Sequence, residues 1–172
     1  MDYLRVGCAS LIGLVFLASA VSKLRDYGGF TRSLPALAPV RPGLLQPLAV
    51  VVIASEAAVP ILLAIPPAMT FGFGLSCCLL CAFSAAIAVA LKRGQHAPCR
   101  CFGSSSRPLG AGHLIRNAIL LITAVAGGLA GGLAPGVHAQ LAGVAVAIPA
   151  GLFGAILIVA FDDIAYLFAR SF

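Results

Sequence analysis

The chain has 172 residues, 61% of them hydrophobic and 9% charged, with a mean hydropathy of +1.08. Soluble domains carry roughly 25% charged residues, so this composition excludes a polar-coated globule and implies an integral membrane protein. The formal charge of +6 comes from cations gathered in two connectors, a pattern that sets membrane topology rather than one that binds nucleic acid.

The length allows one all-α domain of four or five spans at about 20 residues each. The first apolar run covers residues 3–24 and ends at Lys23 and Arg25. Ala18-Ser19-Ala20 fits a small-x-small cleavage site, but cleavage there would translocate Lys23, Arg25, Arg32 and Arg41. The run therefore reads as a retained helix. A basic connector follows, rich in Gly and Pro, with room for a short interfacial helix over residues 30–37.

The second span covers residues 44–65 and stops at Pro66-Pro67; the third covers 68–91 and stops at Lys92-Arg93-Gly94. Residues 92–110 form the longest polar interval, with Cys99-Arg100-Cys101-Phe102-Gly103 at its centre. A fourth span covers 111–133, starting with His113, Arg116 and Asn117, and Pro135-Gly136 closes it. A fifth covers 137–161, with Pro149 as an expected kink. An odd number of spans puts the termini on opposite sides. The connectors after spans one and three then share a side, with Lys23, Arg25, Arg32, Arg41, Lys92, Arg93, Arg100 and Arg107, against Arg5 on the other. The expected orientation is N-terminus outside and cysteine connector in the cytoplasm.

Cys99 and Cys101 lie in a polar loop, where a thiol is accessible, and Arg100 between them favours the thiolate. A disulfide closed over one residue is a strained ring, easier to reduce than a structural staple. His96 is either a loop residue or a base for Cys99. A zinc or copper set of His96, Cys99, Cys101 and His113 is the alternative, although structural zinc sites space their cysteines more widely. Glu56 falls near mid-span and must be protonated or paired, with Lys23 and Arg116 as the candidate partners. Such a pair either locks the helices or supplies a proton acceptor or ligand contact. Cys8, Cys77, Cys78 and Cys81 read as packing residues, and Gly127-Gly128 and Gly131-Gly132 as a close-approach seam.

Taken together, Ser19-Ala20-Val21-Ser22-Lys23-Leu24, Leu34-Pro35, Glu56, Arg93-Gly94, Cys99-Arg100-Cys101-Phe102-Gly103 and Arg116-Asn117 resemble a known family. The likeness is to the DoxX-like small membrane proteins, and within them to the methylamine-utilisation MauE branch, over roughly residues 5–130. It implies a four-helix core plus a C-terminal span in a bacterial inner membrane. It also implies disulfide formation or maturation of exported proteins beside a thioredoxin-like partner. By position, Cys99 and Cys101 would be the redox pair, and Lys23, Glu56, Arg116 and Asn117 family positions. Maturation outside the cell and a cytoplasmic loop are compatible only if electrons cross the membrane; otherwise the charges misplace the loop.

These residues predict a membrane thiol–disulfide oxidoreductase or electron conduit, with electrons ending on a second thiol protein or a quinone. A quinone, with the interior around Glu56 as its pocket, is the one cofactor this reading allows, and no metal is expected. The rival readings are a non-catalytic scaffold that docks a redox enzyme, and a metal-handling protein.

Overall fold

The structure is a computed structural model that describes residues 2–37, 41–94, 111–132 and 141–169. The described residues form six α-helices: α1 (Asp2–Arg25), α2 (Tyr27–Leu37), α3 (Leu45–Ala64), α4 (Met69–Lys92), α5 (Ala111–Gly132) and α6 (Leu141–Ala169). No strand occurs among the described residues. α1, α3, α4 and α5 close a four-helix ring in which each helix packs against the next and α5 returns to α1. Neighbours in the ring are antiparallel: Gly13 meets Pro60, Leu63 meets Gly72, Ser84 meets Asn117, and Cys8 meets Gly127.

Local chemistry sets the joints. α1 ends on Lys23 and Arg25, cations that suit the negative end of the helix dipole. Asp26 then starts α2 without a gap, because its Oδ1 accepts the Gly29 N–H at 3.0 Å, an N-cap bond. That cap starts the connector helix at Tyr27, earlier than the expected residue 30. Phe30 and Leu34, one turn apart on α2, pack with Ala49 and Ile53 of α3. At the other end of α3, Ile65 is extended (φ −100°, ψ 110°) as a residue before proline must be. Pro66–Ala68 then make one 3₁₀ turn into α4. Gly72 lets the hairpin close, since a Cβ there would lie 2.8 Å from Leu63 Cδ2 and 3.1 Å from the Leu63 backbone nitrogen.

The ring is filled by Cys8, Ile12, Val15 and Phe16 of α1 against Val59, Leu63, Phe73, Leu80, Leu120 and Ala124. Gly127 is where three helices meet: a Cβ there would lie 2.5 Å from the Phe73 ring and 2.8 Å from Cys8 Cβ. α6 stands outside the ring, along α1 and against α5. It runs parallel to α1, because Ala147 meets Gly7, Gly151 meets Ser10, and Gly154 meets Leu11. The helix continues through Pro149.

The outer surface is apolar. Val50, Val51, Ile61, Phe71, Ile122, Leu129 and Phe153 are all exposed, while Ser19, Lys23, Glu56, Arg116 and Asn117 are buried. Four helices are long and apolar enough to cross a bilayer, and α6 contributes a shorter apolar stretch, Ala145–Val159. Apolar outside and polar inside is the distribution that lipid demands of a helical bundle. The chain is a multi-pass membrane protein.

Candidate functional site

Most of the buried polar residues collect in one half of the bundle; Ser76, buried in the first half of α4 and bonded to the Phe73 carbonyl, stands apart from them. Ser19 and Lys23 come from the last two turns of α1, and Glu56 from the middle of α3. His113, Arg116 and Asn117 come from the first two turns of α5, and half-buried Ser84 from the second half of α4 joins them. α4 ends and α5 begins at this end.

At the centre lies an ion pair. Lys23 Nζ donates to Glu56 Oε1 at 2.8 Å and Oε2 at 2.9 Å, and to Ser19 Oγ at 2.6 Å. Ser19 in turn donates from Oγ to Glu56 Oε1 at 3.1 Å, closing a triangle. The hydroxyl accepts from the ammonium and donates to the carboxylate, so it joins the two charges in a single orientation. Lys23 is 2% exposed and Glu56 1%. Two aromatic rings flank the ammonium, Phe30 of α2 at 5.4 Å and Phe83 of α4 at 5.6 Å from their centroids. At those distances the faces of the rings attract the cation. The triangle therefore ties α1 to α3, and the rings bring α2 and α4 against it.

Two sequence features shape this arrangement. Ser19 and Lys23 stand four residues apart on α1 and so share a face. A helical side chain leans toward its N-terminus, which carries the Lys23 ammonium from the end of α1 into the bundle. Pro60, four residues beyond Glu56, has no N–H to offer the Glu56 carbonyl, so α3 is locally weakened next to its buried charge.

Asn117 Nδ2 donates to Ser84 Oγ at 3.4 Å, and Ser84 Oγ donates back to the Leu80 carbonyl at 2.7 Å. This second link ties α5 to α4. Arg116 is also buried at 2% exposure. Glu56 thus faces protein, as its chemistry requires, and of its two candidate partners Lys23 is the one bonded to it. Ser19, Phe30, Phe83 and Ser84 complete the site without having been singled out as site residues. The i, i+4 relation to Lys23 is the one sequence signal that points to Ser19.

His96, Cys99, Arg100 and Cys101 lie outside the described residues. Of the other cysteines, Cys8 is buried in the core, Cys77 half-buried against it, and Cys78 and Cys81 exposed on the outer face of α4. Among the described residues no group of three or more His, Cys, Asp or Glu is placed to hold a metal ion. His113, named for the alternative metal set, is buried in the first turn of α5.

Fold and site together define a multi-pass helical membrane protein with a charged, hydrogen-bonded centre. Residues 1–131 match the family described as "Methylamine utilisation protein MauE", and the chain belongs to that family. The matched region spans α1 to α5 almost entirely and leaves α6 outside it. No curated protein and no solved structure matches the chain.

Proposed function

We propose that this protein is a membrane thiol–disulfide oxidoreductase or electron conduit of the DoxX-like type, with Cys99 and Cys101 as the working pair. The observation that carries the reading is a C-x-C pair in the polar connector that springs from the polar half of the bundle. A thiolate on one cysteine attacks a partner's disulfide, breaks it and forms a mixed disulfide. The second cysteine then attacks that bond, closing Cys99–Cys101 and releasing the partner with both its thiols. The chain's dithiol is oxidised by two electrons and the partner's disulfide is reduced; potentials decide in which direction the pair runs.

Electropositive surroundings support such chemistry, because they lower the cost of a thiolate. Arg100 sits between the cysteines, and His113 and Arg116 sit in the first two turns of α5, where the positive end of the helix dipole also lies. The partner proposed is a thioredoxin-like protein that matures exported proteins, in the setting of methylamine utilisation and in a bacterial inner membrane. A second thiol protein or a quinone closes the electron path.

A scaffold reading has its own support in the Lys23–Glu56–Ser19 triangle, whose mutual bonding is that of a packing lock. Titration of the purified chain with a graded glutathione buffer separates the two. A catalytic pair opens and recloses within the mild range, and thiol labelling follows the poise reversibly. A pair that stays oxidised throughout that range belongs to a scaffold and ends the redox proposal.

A further inference from the structure

One rim of the bundle is densely basic. Arg25 closes α1, Arg32 lies on α2, Arg41 leads through Pro42–Leu44 into α3, and Lys92 and Arg93 close α4. All five are exposed. They form one neighbourhood because α2 packs against α3 and α4 and also touches α1. None of them makes a salt bridge among the described residues. Asp26, the acid of this neighbourhood, is engaged in capping α2 through the Gly29 amide.

The depth of these cations selects their ligand. Leu24 and Leu44, both exposed apolar side chains, sit beside Arg25 and near Arg41. Arg25 and Lys92 are the last residues of two of the four stretches long and apolar enough to span the bilayer. Arg25, Arg41, Lys92 and Arg93 therefore stand where hydrocarbon gives way to headgroups, each with an exposed apolar residue within one turn: Leu24, Leu44 or Val89. The opposite rim differs: its cation, Arg5, turns inward, donates to Thr70 Oγ1 at 3.0 Å and lies over Gly131.

We propose that the rim around α2 is a binding surface for the phosphate headgroups of acidic phospholipids, held by Arg25, Arg32, Arg41, Lys92 and Arg93. Clustered cations at headgroup depth on one face gain from each anionic lipid they meet, whereas a dispersed set would not. α2 is the natural platform. Its apolar side is spent on Ala49 and Ile53, and Arg32 is held along it by an Nε–H bond to the Gly28 carbonyl at 3.2 Å.

The test is native mass spectrometry of the full chain in detergent, titrated with phosphatidylglycerol or with phosphatidylcholine of the same acyl chains. Retained phosphatidylglycerol in clear excess over phosphatidylcholine is expected, and it should fall as salt rises. The variant Arg32→Gln/Lys92→Gln/Arg93→Gln should lose about fivefold in affinity per cation, on the order of a hundredfold together. Arg5→Gln on the opposite rim should bind as the parent does. Equal retention of the two lipids, or a triple variant indistinguishable from the parent, overturns the proposal. So does soluble glycerophosphoglycerol competing as well as the lipid, which would make this a free-phosphate site. Tighter binding of polyglutamate with no lipid preference would assign the rim to an acidic protein and overturns it too. The salt dependence is read on the parent protein and holds the proposal to account even if the triple variant does not fold.

Discussion

Replacing Glu56 by Gln keeps the shape of the side chain and removes its charge. Lys23 would then stand 2% exposed, with a hydroxyl and a neutral amide in place of a carboxylate that meets it through both oxygens. Removing one partner of a buried pair strands the other charge, and the cost is about 3–5 kcal/mol. For a domain of this size that corresponds to a fall of roughly 6–20 °C in the unfolding temperature. Lys23→Met should cost about as much, because it strands the carboxylate instead. The double variant Lys23→Met/Glu56→Leu strands no charge, although it removes both Ser19 bonds of the triangle, and should recover most of the single-variant loss, to within about 2 kcal/mol of the parent. Thermal unfolding followed by circular dichroism in detergent micelles completes the cycle. Single variants that each cost less than about 1 kcal/mol, or a double variant whose cost is the sum of the two, would refute the argument that the pair is a coupled, desolvated unit.

Gly127→Leu should destabilise the same preparation by about 1–3 kcal/mol, since even a Cβ collides with the Phe73 ring and Cys8, whereas Gly128→Ala should cost less. Ser replacements of Cys78 and Cys81, which are exposed on the outer face of α4, should leave stability within about 0.5 kcal/mol and activity unchanged. Reporter fusions after Arg41 and after Arg107 should both report the cytoplasm, as the excess of cations in those connectors predicts; an exterior signal from either would mean that the span count or the orientation is wrong.

Spans are legible in this sequence because hydrocarbon imposes length: the apolar runs at 3–24, 44–65, 68–91 and 111–133 become α1, α3, α4 and α5 within a few residues. Glu56 is legible for a related reason, since a carboxylate among apolar residues has few ways to persist. Its choice of Lys23 over Arg116 is not, because it depends on how each helix is rotated. In a soluble helix the polar face would report that rotation. In lipid both faces are apolar, and the period that would mark the inward side of α3 is absent. The same loss hides the part played by Phe30 and Phe83, which are ordinary apolar residues until the fold sets their rings beside an ammonium. The early start of α2 rests on a single cap at Asp26, a local signal that was readable but overshadowed by Gly28, Gly29 and Pro35. That α6 lies along α1 rather than entering the ring follows from glycine contacts at Gly7 and Gly151, which sequence spacing alone does not pair.

Trapping the exchange intermediate tests the central claim, that Cys99 and Cys101 exchange disulfides with a protein partner. Cells producing Cys99→Ser or Cys101→Ser are quenched with acid, alkylated, and analysed without reductant for adducts of this chain. The account predicts that the two variants differ in kind. Loss of the resolving cysteine leaves a mixed disulfide with a partner, released by reductant, and loss of the attacking cysteine leaves none. Two variants that form no adduct and both keep full activity would contradict it.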